Sequence, residues 1–120
     1  MKLLVVDDSK AMRMIVIRTL RQAGFSNLEI KEAENGALAL SAIEQETPDL
    51  VLSDWNMPEM DGLELLKNIG AKGLPVKFGF VTSEGTTEMR QLASDAGALF
   101  LITKPFNAGT FKEILAEHIS

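Results

Sequence analysis

Residues 2–8 read Lys-Leu-Leu-Val-Val-Asp-Asp. Successive side chains of a strand point to opposite faces, so the unbroken apolar run Leu3-Leu4-Val5-Val6 requires cover on both sides. That requirement suits a parallel sheet sandwiched between helices, and the two carboxylates that follow mark where the strand leaves the core. Working outward, further short strands are expected at 29–33, 50–53, 76–81 and 99–103.

The segments between them carry helical period. Met12, Ile15, Val16, Thr19, Leu20 and Ala23 form one stripe, with Gly24 as its stop. Residues 36–46 place Ala39, Leu40 and Ile43 on one face before Pro48, and residues 63–69 make a third helix that ends at Gly70 and Gly73. Met89, Leu92, Ala93 and Ala96 form the fourth stripe, closed by Gly97. Asn107 caps a fifth helix that buries Phe111, Ile114 and Leu115. Five strand–helix repeats with right-handed crossovers predict an α/β fold: a (βα)5 doubly wound, five-stranded parallel sheet. Residues 1–120 read as one unit.

Composition narrows the function. The 120 residues are 46% hydrophobic and 24% charged, ordinary for a globular domain. A net charge of −5 disfavours direct nucleic-acid binding, which needs clustered Lys and Arg. There is no cysteine, which excludes disulfides and thiolate metal sites. Apolar runs of about four residues fall far short of the roughly 20 that span a bilayer or the 7–15 of an export signal, so no membrane partner is expected.

Ligand sites of open α/β sheets lie outside the C-terminal ends of the strands. Here strand one ends in Asp7-Asp8, strand three in Asp54, strand four in Thr82-Ser83 and strand five in Lys104-Pro105. Strand two ends without a comparable group, as an edge strand would, which gives the order 2-1-3-4-5 and brings the other four ends to one rim. Two carboxylates about 5 Å apart repel by roughly 3 kcal/mol at an effective dielectric near 20, so protons or a cation must compensate. Oxygen donors without His or Cys select magnesium, manganese or calcium, with magnesium the best match for two carboxylates and a backbone carbonyl. A lysine and a hydroxyl beside such an ion are equipped to neutralise and hydrogen-bond a phosphoryl group.

These residues resemble the response-regulator receiver domain over essentially the whole chain. The resemblance is carried by Val5-Val6-Asp7-Asp8-Ser9, Asp54-Trp55-Asn56-Met57-Pro58 with Asp61-Gly62, Val81-Thr82-Ser83, Gly97-Ala98 and Lys104-Pro105-Phe106. It implies a flavodoxin-like fold and a cytoplasmic, monomeric phosphorylation switch. Such a protein catalyses only its own phosphorylation and slow dephosphorylation. Asp54 would accept the phosphoryl group from a histidine kinase or a small phosphodonor. Mg2+ would be held by Asp8, Asp54 and the Asn56 carbonyl, with Asp7 acting largely through bound water. Lys104 would pair with a phosphoryl oxygen, Thr82 would swing its hydroxyl onto the group, and the Lys104-Pro105 peptide would be cis. Asn56 and Glu84 would modulate dephosphorylation.

Within the family the run Asp54-Trp55-Asn56-Met57-Pro58 is similar to the stand-alone chemotaxis receivers that bind the flagellar motor switch. Leu101 stands where many receivers carry an aromatic switch residue, and the neighbouring Phe100 points to the other face of its strand. The chain also has no tyrosine. Met14 and Ile17, on a first helix more apolar than one stripe requires, and Leu101 are the expected partner-docking residues, facing the kinase or a downstream protein target. His118, in the last helical turn, is expected to interact with the helix end or solvent. Alternatives are a receiver excised from a larger response regulator, a receiver that binds without being phosphorylated, and an aspartate-nucleophile phosphohydrolase.

Overall fold

The computed structural model describes residues 1–25 and 27–119. Strands and helices alternate along them: β1 (Lys2–Val6), α1 (Lys10–Gln22), β2 (Glu29–Ala33), α2 (Gly36–Gln45), β3 (Leu50–Ser53), α3 (Gly62–Ala71), β4 (Lys77–Thr82), α4 (Thr87–Asp95), β5 (Phe100–Thr103) and α5 (Ala108–Ile119). All four strand pairings are parallel, in the order β2-β1-β3-β4-β5. This is the doubly wound, flavodoxin-like sheet expected from the apolar runs.

The period-two alternation of the strands splits the core into two layers. Leu4, Val6, Val51, Phe78, Phe80 and Leu101 face one layer, closed by Ile43, Leu65, Leu66, Ile69 and Ala93 from α2, α3 and α4. Leu3, Val5, Leu50, Leu52, Val81 and Ile102 face the other, closed by Val16, Leu20, Phe111 and Leu115 from α1 and α5. Burying each such side chain contributes about 1.5–3 kcal/mol, which is why the central strands tolerate no polar interruption before their ends.

Side-chain caps fix where the helices begin. Ser9, Asn35, Asp61 and Thr86 each accept the backbone N–H three residues on, and Asn107 Oδ1 accepts Thr110 N–H at 2.9 Å. Each cap is worth about 1 kcal/mol and sets the first turn of the helix that follows it. Gly24 and Gly97, at φ of 94° and 105°, stop α1 and α4 in a conformation that side chains with a Cβ rarely adopt.

Some expectations shift. Ile15 lies off the buried stripe and is 44% exposed. At about 100° per residue it sits a quarter-turn from Val16, whereas Leu20 and Ala23 return close to it. β4 starts at Lys77 and β5 at Phe100, one residue later than their apolar runs suggested, because pairing with β3 and β4 governs their first residue.

Candidate functional site

One backbone hydrogen bond beyond the end of each ladder carries a polar residue onto the rim. Asp7 N–H donates to Ala33 O at 3.1 Å, Asp54 N–H to Val6 O at 2.9 Å and Lys104 N–H to Thr82 O at 2.8 Å. The backbone that buries the strands therefore also sets these three side chains side by side. The Lys104 ammonium lies 3.2 Å from Asp7 Oδ2 and 3.3 Å from Asp54 Oδ2, bridging β1, β3 and β5. The side chains of Lys104 and Asp54 keep only 17% and 13% of their surface exposed.

The second oxygen of each aspartate is held by the chain. Asp7 Oδ1 accepts Ser9 N–H at 2.9 Å, and Asp54 Oδ1 accepts Trp55 N–H at 2.7 Å. Burial pushes the Asp7 carboxyl above the ordinary carboxylate range. The Ser9 N–H and the Lys104 ammonium oppose that shift, and the charge of Asp54 adds to it. Asp8 is exposed at the mouth, and carboxylate oxygens of Asp7, Asp8 and Asp54 lie within 4.8 Å of one another.

When ionised, three carboxylates against one ammonium leave two negative charges, a deficit that a divalent cation matches. Opposite ligands on one octahedral magnesium lie about 4.2 Å apart. Carboxylate oxygens that all lie within 4.8 Å of one another are close enough for one divalent cation to draw them together. An all-oxygen donor set fits a hard cation and not zinc or copper.

Thr82, at the end of β4, is fully buried, and among the described residues its hydroxyl is the one buried side-chain polar atom without a hydrogen-bond partner. Gly62 opens α3 directly behind the site. Its N–H donates to Trp55 O at 2.8 Å, and a Cβ on it would stand 2.3 Å from Asp54 O. Only glycine lets α3 come so close. The Lys104-Pro105 peptide is cis. Asn56 and Glu84 are exposed in the loops after β3 and β4, on the side of the sheet that carries the rim.

The chain belongs to the response-regulator receiver family. The receiver domain of response regulators matches residues 3–116. The chain is 45% identical over 119 residues to chemotaxis protein CheY-3 of Vibrio cholerae, covering 96% of this chain and 88% of that one. It is 39% identical to chemotaxis protein CheY of Pseudomonas aeruginosa, over 94% and 91% of the two chains. Among solved structures, chemotaxis protein CheY4 of Vibrio cholerae superposes with a TM-score of 0.84 at 33% identity, covering 97% and 96%. The receiver domain of a Luxo repressor protein of Vibrio parahaemolyticus gives 0.89 at 26%, covering 98% and 88%. Membership places the chain in two-component signalling, where receivers work with a histidine kinase and a downstream target.

Of the residues anticipated for docking, Met14 is 52% exposed on this receiver's α1, and Ile17 packs partly against the α1/α5 layer. Leu101 is a correction. It is only 9% exposed and packs with Phe78 and Phe80, because the alternation of β5 turns it into the core. Leu92 of α4 and Leu99, just before β5, are exposed instead. Phe100 faces the opposite layer as expected, its ring filling the space beside Gly79 and lying 5.4 Å from the His118 ring.

Two arginines were not singled out from the sequence. Arg90 of α4 donates to Gly85 O and Leu101 O, both at 3.2 Å, and so ties the β4–α4 loop to β5. Arg13 of α1 donates from Nη1 to Asp7 O at 2.6 Å. The available signal for Arg13 was its place as the lone charge inside the apolar stretch 11–17.

Proposed function

We propose that this receiver is a phosphorylation-dependent signalling switch that takes a phosphoryl group on Asp54 in the presence of Mg2+. The observation that supports it most is the Lys104 ammonium set between Asp7 and Asp54, with Asp8 at the mouth of the same cluster. Asp8, Asp54 and the Asn56 carbonyl would hold the ion, and Asp7 would reach it through water. Bound there, magnesium would neutralise phosphoryl oxygens and the carboxylates around them.

Asp54 Oδ2 is the nucleophile, because Trp55 N–H holds Oδ1 and turns Oδ2 toward the ammonium. It forms a bond to phosphorus while the P–N bond of a kinase phosphohistidine, or the P–O bond of an acyl phosphate, breaks. The leaving imidazole or carboxylate takes the bonding pair. Lys104 then follows the charge from the Asp54 carboxylate to a phosphoryl oxygen, and the Thr82 hydroxyl gains the partner it lacks. Water later cleaves the acyl phosphate, at a rate that Asn56 and Glu84 influence from above.

The added charge of about −1.5 to −2 biases a pre-existing equilibrium in the face made by α4, β5 and α5. The names of the relatives favour a chemotaxis partner, and the chain would act as a cytoplasmic monomer of one receiver domain, residues 1–120. It is no enzyme beyond its own phosphorylation and dephosphorylation. Intact-mass analysis with acetyl phosphate, with and without magnesium, tests this on wild type and Asp54→Asn. One phosphoryl adduct is expected on wild type with magnesium only. Equal labelling of the Asn variant would refute the assignment.

A further inference from the structure

The three carboxylates of the rim are not held alike. Ser9 N–H and Lys104 restrain Asp7, and Trp55 N–H and Lys104 restrain Asp54. Among the described residues, no hydrogen bond or ion pair engages the Asp8 carboxylate, so what the chain fixes is the direction of its Cα–Cβ bond, through the peptide that precedes it. That peptide lies beyond the sheet. The β1–β2 register ends at Val6↔Ala33, and Asp7 O has passed the last rung.

Arg13 supplies the missing donor. Its Nη1 donates to Asp7 O at 2.6 Å while its Nε donates to Glu32 Oε1 at 2.9 Å. The side chain is only 12% exposed, so the fork is packed and not a solvated surface charge. A planar guanidinium with one arm on the β1–α1 turn and the other on β2 fixes the plane of the Asp7–Asp8 peptide. Groups that orient metal ligands in this way commonly change metal affinity by about 10- to 100-fold when removed.

We propose that Arg13 is a positioning residue for the divalent-cation site, aiming the Asp8 carboxylate by clamping the Asp7 carbonyl to Glu32. The inference rests on the magnesium site proposed above. Arg13 touches neither the ion nor the phosphoryl group, so it sets how tightly magnesium binds and not how fast a loaded site reacts.

Positioning and simple charge predict opposite signs. Removing a positive charge beside carboxylates would by itself strengthen cation binding, whereas loss of the clamp weakens it. Magnesium titrations of the full chain, followed by calorimetry and by the fluorescence of Trp55, decide between them on wild type, Arg13→Met and Arg13→Lys. Arg13→Met is expected to raise the magnesium Kd about tenfold or more, within the range such removals commonly give. Arg13→Lys keeps the charge but cannot fork, and is expected to weaken binding in the same direction. Acetyl-phosphate labelling at saturating magnesium should stay within about twofold of wild type for both, the split expected of a group that acts through ligand orientation.

Unchanged or tighter magnesium binding by Arg13→Met would overturn the proposal. So would a matching loss of labelling rate at saturating magnesium. Should Arg13→Met fail to fold, wild-type affinity in Arg13→Lys would overturn it equally. A wild-type chain that shows no magnesium binding would instead sink the proposed function.

Discussion

Thr82→Val should make the metal-free protein more stable while removing part of what phosphorylation adds. The Thr82 side chain is fully buried with its hydroxyl unpartnered, and its backbone carbonyl is already used by Lys104 N–H. A buried polar group without a partner costs about 1–3 kcal/mol. Valine keeps the branched shape and the strand preference of threonine, so the exchange removes that cost without opening a cavity. Allowing for imperfect fit of the new methyl, a gain of about 1 kcal/mol is expected, which for a chain of this size raises Tm by roughly 3–5 °C. Urea denaturation without magnesium measures it directly. With magnesium and acetyl phosphate present, wild type should gain stability as the hydroxyl meets a phosphoryl oxygen, and the valine variant should gain less, by about 1 kcal/mol. A valine variant that is less stable than wild type without metal would refute the reasoning about the orphan hydroxyl. Equal gains on phosphorylation would refute its role in coupling.

Gly62→Ala sets a Cβ against the Asp54 carbonyl and within 2.8 Å of Phe80 Cε1, so α3 or β3 must move. A loss of about 1–3 kcal/mol in urea denaturation is expected, with slower acetyl-phosphate labelling because the acceptor moves with its carbonyl. Glu46 accepts from both Lys2 and Lys31, and these bonds hold its carboxyl down at about 2. Its contribution to stability is thus present above the ordinary carboxylate range and lost as pH falls from there through about 2. Glu46→Gln should flatten that part of the acid limb in pH-dependent melts, and an unaltered limb would count against it. Met14→Asp, on the exposed face of α1, should abolish phosphorylation by a cognate kinase while leaving labelling by acetyl phosphate unchanged. Parallel loss of both would point to misfolding and not to docking.

The strands were legible because a parallel strand covered on both faces leaves almost no freedom in composition. Leu3 to Val6 and Leu50 to Leu52 could hardly be anything else. Strand alternation also separated Leu101 from Phe100 correctly, since a one-residue step always crosses the sheet. It did not reveal that the sheet is closed on both faces at this point of β5, and Leu101 proved to be core. The stripe on α1 was read too broadly, because an i, i+3, i+4 pattern contains Ile15 whether or not a sheet lies beneath it.

The identities of Asp7, Asp8, Asp54, Thr82 and Lys104 follow from the rule that polar residues gather where apolar strands stop, together with the family resemblance of their motifs. That Lys104 reaches both Asp7 and Asp54, 97 and 50 positions away, required the folded sheet, because the contact depends on strand order and on one extra rung of backbone pairing at each end. The arginines illustrate the same limit more sharply. Arg13 and Arg90 are long, flexible side chains that each reach across to a main-chain carbonyl of another element or turn. A carbonyl belongs to every residue alike, so no residue type in the sequence marks it as a partner. Strand ladders leave a few such carbonyls unpaired, and the packing of each helix against the sheet selects the arginine that reaches them.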